Sequence, residues 1–165
     1  MESNMVIRNA TMDDLEQIAH VEATCFPPAE AASKDAFRLR LQHYGNHFWL
    51  LFQDGQLISF VDGFVTDQDV LTDEMFADPT LHDPNGAWQM IFGVNTMPAF
   101  RRRGYAGKLI RCAIEDAKTQ GRRGLILTCK PEKVAYYSKF GFLDEGITPA
   151  STHGGAVWHQ MRLTF

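Results

Sequence analysis

The spacing of hydrophobic residues along the chain changes between a period of about two and a period of about 3.6, and each change predicts a new element. Alternating or short continuous apolar runs predict strands at residues 5–9, 48–53, 57–66, 88–96, 124–129, from 142 onward, and 156–165. Helical spacing predicts helices at residues 11–25, from about 29 or 33 to 43, at 104–120 and at 132–140. This order predicts an α/β protein whose mixed sheet contains one parallel crossover.

Turn-forming residues separate these elements. Pro27 and Pro28 end the first helix, and Gly121 and Gly141 are predicted to end later ones. Asp54-Gly55 between two apolar runs predicts a β-hairpin. The chain has 165 residues and no internal repeat, so we expect a single domain over residues 1–165.

Residues 67–87 are the longest predicted connection. They are acidic, contain Pro79, Pro84 and Gly86, and include one predicted helical turn at 72–76. Connections of this length are usually functional or disordered. Because this one lies just before the strand at 88–96, it is a candidate substrate-binding loop.

Charge is distributed unevenly along the chain, although the net charge is only −4. Residues 41–100 contain eight Asp or Glu and no Lys or Arg. Residues 101–140 contain eleven Lys or Arg and three Asp or Glu, a local charge of +8. A basic half suits a polyphosphate cofactor and an acidic half suits a cationic substrate, although an ordinary solvated surface is the alternative.

The three cysteines, Cys25, Cys112 and Cys129, lie among apolar residues at wide spacing. They form no disulfide framework and no CxxC pair, so we expect buried free thiols and no metal site. No apolar run approaches the roughly 18 residues of a membrane span, and the N-terminal residues lack the basic start and apolar core of a signal peptide. We therefore expect a cytoplasmic protein without a membrane partner.

The most specific stretch is residues 89–121, in which the turn RRRGYAGK joins a predicted strand to a predicted helix. A helix start offers backbone N–H groups that lack intrahelical acceptors, together with the positive end of the helix dipole. Gly104 and Ala106 are small, so a phosphate group can approach the backbone closely. The stretch therefore predicts a phosphate-binding loop.

The sequence Arg101-Arg102-Arg103-Gly104-Tyr105-Ala106 fits the pattern (Gln or Arg)-x-x-Gly-x-(Gly or Ala). It resembles the acetyl-CoA pyrophosphate loop of the GNAT N-acetyltransferases. Residues 98–101 (PAFR) and 136–142 (YYSKFGF) resemble two further family segments, and the order of elements is similar. The resemblance covers about residues 6–165 and is nearest the arylalkylamine (serotonin) N-acetyltransferase-like branch. It implies the GNAT fold, a twisted mixed sheet of about six to seven strands flanked by about four helices.

The resemblance implies acetyl-CoA as co-substrate. It assigns the pyrophosphate to the loop that runs through Arg101, Arg102, Arg103, Gly104, Tyr105, Ala106 and Gly107. It assigns the pantetheine arm to the main chain of Val94 and Thr96, near a strand bulge that we expect at Asn95. An N–H of this strand would donate to the thioester oxygen. Val94 and Thr96 would equally suit an ordinary core strand, because the assigned role belongs to the main chain.

Tyr137 aligns with the tyrosine that the family uses to protonate the departing thiolate, and a phenol donates well to a charged sulfur. The alternative is an aromatic residue that only packs in the core. The general base is not identified: either a residue elsewhere takes the proton, or a chain of water molecules to solvent suffices. The animal arylalkylamine branch has two histidines on the central strand, where this chain has Met90 and Phe92. Candidates, each of which would equally suit a structural role, are Asp73, Glu74, His82, Gln89 and His153.

The acceptor pocket is assigned partly by resemblance and partly by apolar character. The stretch after Cys25 resembles the acceptor-side helix of the arylalkylamine branch. The residues expected to bind the acceptor are Phe26, Pro27, Glu74 and Met90. Further apolar residues would suit either this pocket or the core: Pro28, Phe48, Trp49, Met75, Phe76 and Trp88.

We therefore expect an acetyl-CoA-dependent N-acetyltransferase that acts on a small cationic or aryl-alkyl amine by direct attack in a ternary complex. We expect a monomer or a homodimer. Two alternatives remain, acetylation of a protein N-terminus or lysine, and CoA binding without turnover. The sequence pI of about 5.8 and the shortness of the arginine run oppose a nucleic-acid partner.

Overall fold

The computed structural model describes residues 4–165. Within these residues the strands are β1 (Met5–Arg8), β2 (Phe48–Gln53), β3 (Gln56–Asp62), β4 (Val65–Thr66), β5 (Trp88–Ile91), β6 (Gly93–Thr96), β7 (Gly124–Cys129), β8 (Leu143–Ile147) and β9 (His159–Thr164). The helices are α1 (Leu15–Cys25), α2 (Lys34–Tyr44), α3 (Asp73–Ala77), α4 (Tyr105–Thr119) and α5 (Val134–Ser138). The predicted α/β class and element order are confirmed, except that two predicted strands are each divided.

Residues 4–63 and 93–113 form a first compact unit around a four-stranded sheet with the order β1-β2-β3-β6. All of its pairings are antiparallel, and β6 lies at its edge. The ring of Phe37 on α2 meets Phe48 and Phe60 edge-on, with centroids 6.2 and 5.9 Å apart. These fully buried rings form the centre of the unit's core.

The turn between β2 and β3 is the predicted hairpin. Asp54 and Gly55 both have positive φ, 50° and 82°. Two consecutive residues of this kind form the tight turn whose twist matches that of the flanking strands. Asp54 also accepts a hydrogen bond from the backbone N–H of Asn4 through its carboxylate, at 3.0 Å. The Asp-Gly pair therefore sets the register of the two central strands of this sheet.

Residues 64–92 and 114–165 form a second compact unit around a five-stranded sheet with the order β4-β5-β7-β9-β8. β5 and β7 are parallel, and the remaining pairs are antiparallel. The chain between β5 and β7 includes α4, which confirms the predicted parallel crossover. Leu125 and Ile126 on β7 are fully buried, as expected for a continuous apolar strand.

The sequence prediction is wrong about the continuity of two strands. Residues 57–66 divide at Gly63 and Phe64, and residues 88–96 divide at Phe92, three residues before the bulge expected at Asn95. The strands thus form two sheets of four and five strands instead of one sheet of about six to seven. The break at Phe92 is accompanied by ring packing against Phe64 and Phe76, at 4.9 and 4.8 Å.

Residues 67–87 are an ordered segment that includes the predicted helical turn, now α3. Leu71 and Met75 are buried. The carboxylate of Asp73 accepts hydrogen bonds from the N–H of Thr152 at 2.9 Å and from its hydroxyl at 2.7 Å. The N–H of Leu71 donates to Gln160 Oε1 at 3.0 Å. The segment is therefore held to the second unit by buried apolar residues and by side-chain hydrogen bonds.

Close packing at Gly124 gives a prediction for stability. A Cβ atom there would lie 1.9 Å from the carbonyl oxygen of Leu163 and 2.9 Å from the ring of Trp88. We expect Gly124→Ala to cost about 1–3 kcal/mol or more, which lowers the melting temperature by roughly 3–10 °C in a chain of this length. Thermal unfolding followed by circular dichroism measures this. Gly45→Ala is the control, because its Cβ would come no closer than 3.2 Å to another atom. Equal melting temperatures for the two variants would contradict the packing explanation.

Candidate functional site

The turn before α4 has the conformation expected of an anion-binding loop. Residues 101–104 are exposed, Arg102 has φ 65° and Gly104 has φ 80°. The backbone N–H of Lys108 donates to the Gly104 carbonyl at 3.1 Å. This is the first helical hydrogen bond of α4, so the helix begins directly after Gly104. α4 has 15 residues and no acidic residue in its first turn. The free N–H groups and the positive end of the dipole at the start of α4 therefore lie beside a strongly basic turn. Both features favour binding of an anion.

Gly104 is required by its backbone conformation. A Cβ atom at this position would have no other atom within 4 Å, but its φ of 80° lies in the region that most side chains disfavour. The absence of neighbouring atoms on that side leaves room for a phosphate group against the backbone.

The arginines of this turn have different roles. The Nε of Arg101 donates to the Thr96 carbonyl at 3.0 Å, which holds the turn against the end of β6. The guanidinium of Arg103 lies over the ring of Phe100, 5.6 Å from its centroid. Arg101 is thus a structural link between β6 and the turn, and Arg102 and Arg103 add positive charge at its surface.

The pairing of β6 determines where its peptide groups point. The N–H of Met97 donates to the Ile58 carbonyl at 2.8 Å, so Met97 is a hydrogen-bonded position of the ladder with β3. In antiparallel strands such positions alternate with positions whose peptide groups face outward. The peptide groups of Val94 and Thr96 therefore face away from β3. Since β6 lies at the sheet edge, Val94 presents backbone donors and acceptors that another extended chain can pair with.

The carbonyl of Thr96 accepts two hydrogen bonds from side chains of the first unit. One comes from Arg101, and the other comes from the thiol of Cys25 at 3.3 Å. Burial raises the pKa of the Cys25 thiol, and the nearby Arg101 only partly offsets this effect. Cys25 is therefore a neutral donor that helps to fix the end of α1 beside β6.

Tyr137 lies on α5 in the second unit and is 9% exposed. Its ring packs edge-on against Tyr136 and Phe142, with centroids 5.1 and 6.3 Å apart. Burial raises the pKa of Tyr137 well above that of a free tyrosine, and Tyr136 and Cys129 add to the effect. The phenol therefore keeps its proton throughout the neutral range.

The predicted acceptor residues differ in exposure. Phe26 is half-buried and Pro27 is exposed at the end of α1, and Glu74 is exposed in the first turn of α3. Met90 is fully buried in β5, so its side chain belongs to the core and not to an open pocket wall. The same holds for four further apolar candidates, each at most 3% exposed: Phe48, Trp49, Met75 and Trp88.

Most of the candidate bases have structural partners. Asp73 holds Thr152, as described above, and His82 Nδ1 accepts a hydrogen bond from the N–H of Val65 at 3.0 Å. Gln89 donates to the carbonyls of Phe64 and Met90 at 3.2 and 2.8 Å. His82 and Gln89 thus stabilise the second sheet, and Asp73 holds the segment before β9.

A row of partly exposed aromatic side chains in the second unit was not predicted. Phe92 contacts Phe76, whose ring stacks on His153 with centroids 5.1 Å apart and planes at 7°. His153 in turn lies 6.4 Å from the ring of Trp158. These residues are scattered through the sequence, so no local signal connects them.

A buried polar cluster in the first unit was also missed. It comprises Glu22 on α1, Arg40 on α2, Asp62 on β3 and Asn95 on β6, each at most 6% exposed. Their long separation in sequence hides the cluster, although a polar or charged residue among apolar neighbours was a usable signal.

No helix among residues 4–165 is long and apolar enough to span a membrane. The same part of the chain contains no group of three or more His, Cys, Asp or Glu arranged to hold a metal ion.

Comparison with known sequences identifies relatives. Residues 14–142 match the family described as Acetyltransferase (GNAT) family. The serotonin N-acetyltransferase of Mesocricetus auratus is 28% identical over 107 residues, 64% of this chain and 49% of that protein. Probable glucosamine 6-phosphate N-acetyltransferase 2 of Oryza sativa subsp. japonica is 42% identical over 52 residues, 32% of this chain and 31% of that protein. The matches thus span about half and about a third of these relatives.

Comparison with solved structures shows the fold. The loading GNATL domain of CurA from Lyngbya majuscula has a TM-score of 0.83 at 13% identity, over 98% of both chains. The GphF GNAT-like decarboxylase in complex with isobutyryl-CoA has a TM-score of 0.82 at 18% identity, over 96% of this chain and 98% of that one. At such identities the likeness concerns architecture and not reaction.

Proposed function

This chain belongs to the acetyltransferase (GNAT) family, and we propose that it transfers the acetyl group of acetyl-CoA to the primary amine of a small cationic or aryl-alkyl amine. Both curated relatives described above are named as N-acetyltransferases. We further propose that residues 1–165 act as a single catalytic domain. The three free thiols, Cys25, Cys112 and Cys129, favour a reducing compartment such as the cytoplasm.

The observation that carries the proposal is the basic turn at residues 101–104 before α4. We assign the pyrophosphate of CoA to the N–H groups at the helix start, from Arg102 to Gly107, which include those of Gly104, Tyr105 and Ala106. Arg102 and Arg103 supply charge, while Arg101 anchors the turn. One solved structure of this fold was determined with a CoA thioester, isobutyryl-CoA.

We assign the pantetheine arm to the edge of β6. Its amides would pair with the outward peptide groups of Val94 and Thr96 as an added strand does. The Val94 N–H is then the proposed donor to the thioester oxygen, whose negative charge grows as the amine attacks. The Thr96 carbonyl already accepts two hydrogen bonds, so Val94 carries the larger part of this role.

The proposed reaction needs one proton removed and one supplied. The acceptor ammonium loses a proton, the free amine attacks the thioester carbon, and the carbon–sulfur bond breaks. Tyr137 gives its phenolic proton to the departing thiolate and regains one from the protonated amide nitrogen through solvent. The sum is an amide, CoA thiol and one released proton.

The acceptor class is proposed from charge and aromatic character. The segment at residues 67–87 is acidic and presents Glu74 at its surface, which suits an ammonium group. The half-buried rings of Phe76, Phe92 and His153 suit an aryl group, because aromatic rings stack favourably. Phe26 and Pro27 remain proposed acceptor contacts, and Met90 is excluded from direct contact by its burial.

The test of this function is thiol release from acetyl-CoA in the presence of arylalkylamines, polyamines, aminoglycosides, amino acids and peptides. Saturable turnover with one class of small amine is the expected result. Turnover with peptides alone would support protein acetylation instead. CoA binding by calorimetry without any turnover would support a CoA-binding module.

Phe76 provides a prediction for acceptor specificity. We expect Phe76→Leu to raise KM for an arylalkylamine about three- to tenfold, because loss of an aromatic pair costs roughly 0.5–1.5 kcal/mol. KM for an aliphatic polyamine and the affinity for CoA should change much less. The control is Phe165→Leu, which removes an exposed ring elsewhere in the second unit. Equal effects on both amines would exclude the aromatic row from acceptor binding.

A further inference from the structure

The buried polar cluster of the first unit lies directly beneath the start of β6. Arg40 Nη1 donates to Asp62 Oδ2 at 3.1 Å. Glu22 Oε2 accepts a hydrogen bond from the N–H of Ala32 at 2.8 Å. Asp62 lies opposite Gly93 in the ladder between β3 and β6. Three separate elements thus bring two carboxyl groups and one guanidinium to the first residue of the edge strand.

The cluster contains buried oxygens that the described residues leave without a hydrogen bond. They are Glu22 Oε1, Asp62 Oδ1 and Asn95 Oδ1. The side chains of these residues are at least 94% buried, with exposed fractions of 6%, 0% and 1%. Buried polar atoms nearly always have a partner. These atoms therefore define a place for a water or a proton inside the protein.

Gly93 brings the strand close to these oxygens. A Cβ atom on Gly93 would lie 2.9 Å from Asp62 Oδ1, 3.2 Å from Asn95 Nδ2 and 3.8 Å from Glu22 Oε1. Any side chain would displace the cluster, so glycine permits the contact. The next peptide group along the strand belongs to Val94, the proposed donor to the thioester oxygen. The cluster is therefore adjacent in structure to the proposed reacting carbonyl.

The charges in the cluster do not balance when both carboxyl groups are ionised. Arg40 carries one positive charge, and no other cation contributes to the pKa of Asp62. Burial raises the pKa of Asp62 to about 7, an effect that Arg40 opposes and Glu22 increases. Burial also raises the pKa of Glu22, and donation from Ala32, the charge of Arg40 and the nearby side-chain amide of Asn95 only partly offset this. Tyr44 on α2 also faces Arg40 and Asp62, and burial raises its pKa, so it remains neutral. The two carboxyl groups therefore titrate as a coupled pair, in which burial and their mutual repulsion disfavour the doubly ionised form.

We propose that Glu22, Arg40 and Asp62 form the proton acceptor of the acetyl transfer, which takes the proton of the acceptor ammonium through water held by the three unpartnered oxygens. This inference rests on the proposed function. It assigns a base to a chain that has Met90 and Phe92 where the animal arylalkylamine branch, which it resembles, has two histidines. One N–H bond of the ammonium breaks, its proton passes to a carboxylate of the cluster, and the nitrogen lone pair is freed for attack. The cluster returns to its ionised state by releasing that proton to solvent.

A purely structural role is the competing explanation, and Asp14 provides the matched control. Asp14 is also a buried aspartate in the first unit, 4% exposed, and is paired with Arg8 at 2.8 Å. Burial acts to raise its pKa, but hydrogen bonds from Arg8 and Thr11 outweigh this effect and lower it. Asp14 is therefore ionised at neutral pH and has no proton to exchange, while its loss should destabilise the same unit.

The experiment compares two acceptors of similar shape whose amines differ in basicity. Turnover is measured for 2-phenylethylamine, which is protonated at neutral pH, and for its β,β-difluoro analogue, in which fluorine lowers the basicity of the amine. The variants are Asp62→Asn, Glu22→Gln and the control Asp14→Asn. Circular dichroism and CoA calorimetry are recorded for each variant to establish folding and cofactor binding.

The cluster variants should lose on the order of 10²-fold in kcat/KM with 2-phenylethylamine at pH 7. They should lose far less with the difluoro analogue, and their loss with 2-phenylethylamine should shrink as pH rises. Asp14→Asn should affect both amines equally. Glu22→Gln keeps an oxygen to accept from Ala32, so it tests the cluster even if Asp62→Asn fails to fold.

Equal losses on both amines in Asp62→Asn and Glu22→Gln, with unchanged pH profiles, would overturn the proton-acceptor assignment while leaving the acetyltransferase function intact. Absence of turnover by the unaltered chain with every amine of the panel would overturn the proposed function itself.

Discussion

Gly104→Asp is expected to abolish measurable affinity for CoA. Aspartate tolerates positive φ better than most residues, so the turn itself should survive. Its carboxylate, however, would stand on the open side of the turn, where we assign the pyrophosphate. Opposed like charges cost several kcal/mol, which corresponds to a loss of at least about 10²-fold in affinity. Isothermal titration calorimetry with CoA measures the effect.

Gly104→Asn is the matched control for this result. Asparagine has nearly the same shape and also tolerates positive φ, but it carries no charge. It should weaken CoA binding much less than aspartate does. Near-normal affinity in the aspartate variant would remove the turn from the cofactor site. Equal losses in both variants would show that bulk and not charge is responsible.

Tyr137→Phe is expected to lower kcat on the order of 10²-fold or more and to leave CoA affinity unchanged. The physical reason is that phenylalanine keeps the ring contacts with Tyr136 and Phe142 but cannot donate a proton. Because burial raises the pKa of Tyr137, the unaltered enzyme should lose no activity through ionisation of this phenol at moderately alkaline pH. Steady-state kinetics between pH 6 and about pH 9 test both statements.

Tyr136→Phe is the control, since Tyr136 is the adjacent phenol on α5 and is less buried. It should retain most of the activity. A Tyr137→Phe variant with normal kcat at neutral and alkaline pH alike would exclude Tyr137 from the chemistry and would leave it as a core residue. Loss of CoA affinity in that variant would indicate a binding role instead.

Local patterns were sufficient where one stretch of chain contains the whole signal. Asp54-Gly55 predicts its hairpin because positive φ at two consecutive positions is a property of the turn alone. The turn before α4 is similar, since Gly104 at φ 80° and the helix start behind it are neighbours in sequence. The buried face of α4 follows from its spacing, with Leu109, Ala113 and Ala117 almost fully covered.

Local patterns failed where the decisive partner is far away in the chain. The breaks at Gly63 and Phe92 lie inside apolar runs, and alternation cannot show that one run supplies strands to two sheets. The burial of Phe48, Trp49 and Met90 could not be predicted from the sequence for a related reason. Apolar character is the same in a core and in a pocket wall, so burial alone separates them.

The sequence by itself determined the family, the order of elements and the conformation of the turn before α4, because each of these depends on residues within a few positions of one another. Only the tertiary structure decided that Asp73, His82 and Gln89 hold parts of the second unit together. It also brought Glu22, Arg40 and Asp62 together beneath Gly93. The pKa of a carboxyl group depends on how completely water is removed from it and which charges remain nearby. Those quantities are properties of packed elements, and no single stretch of the chain contains them.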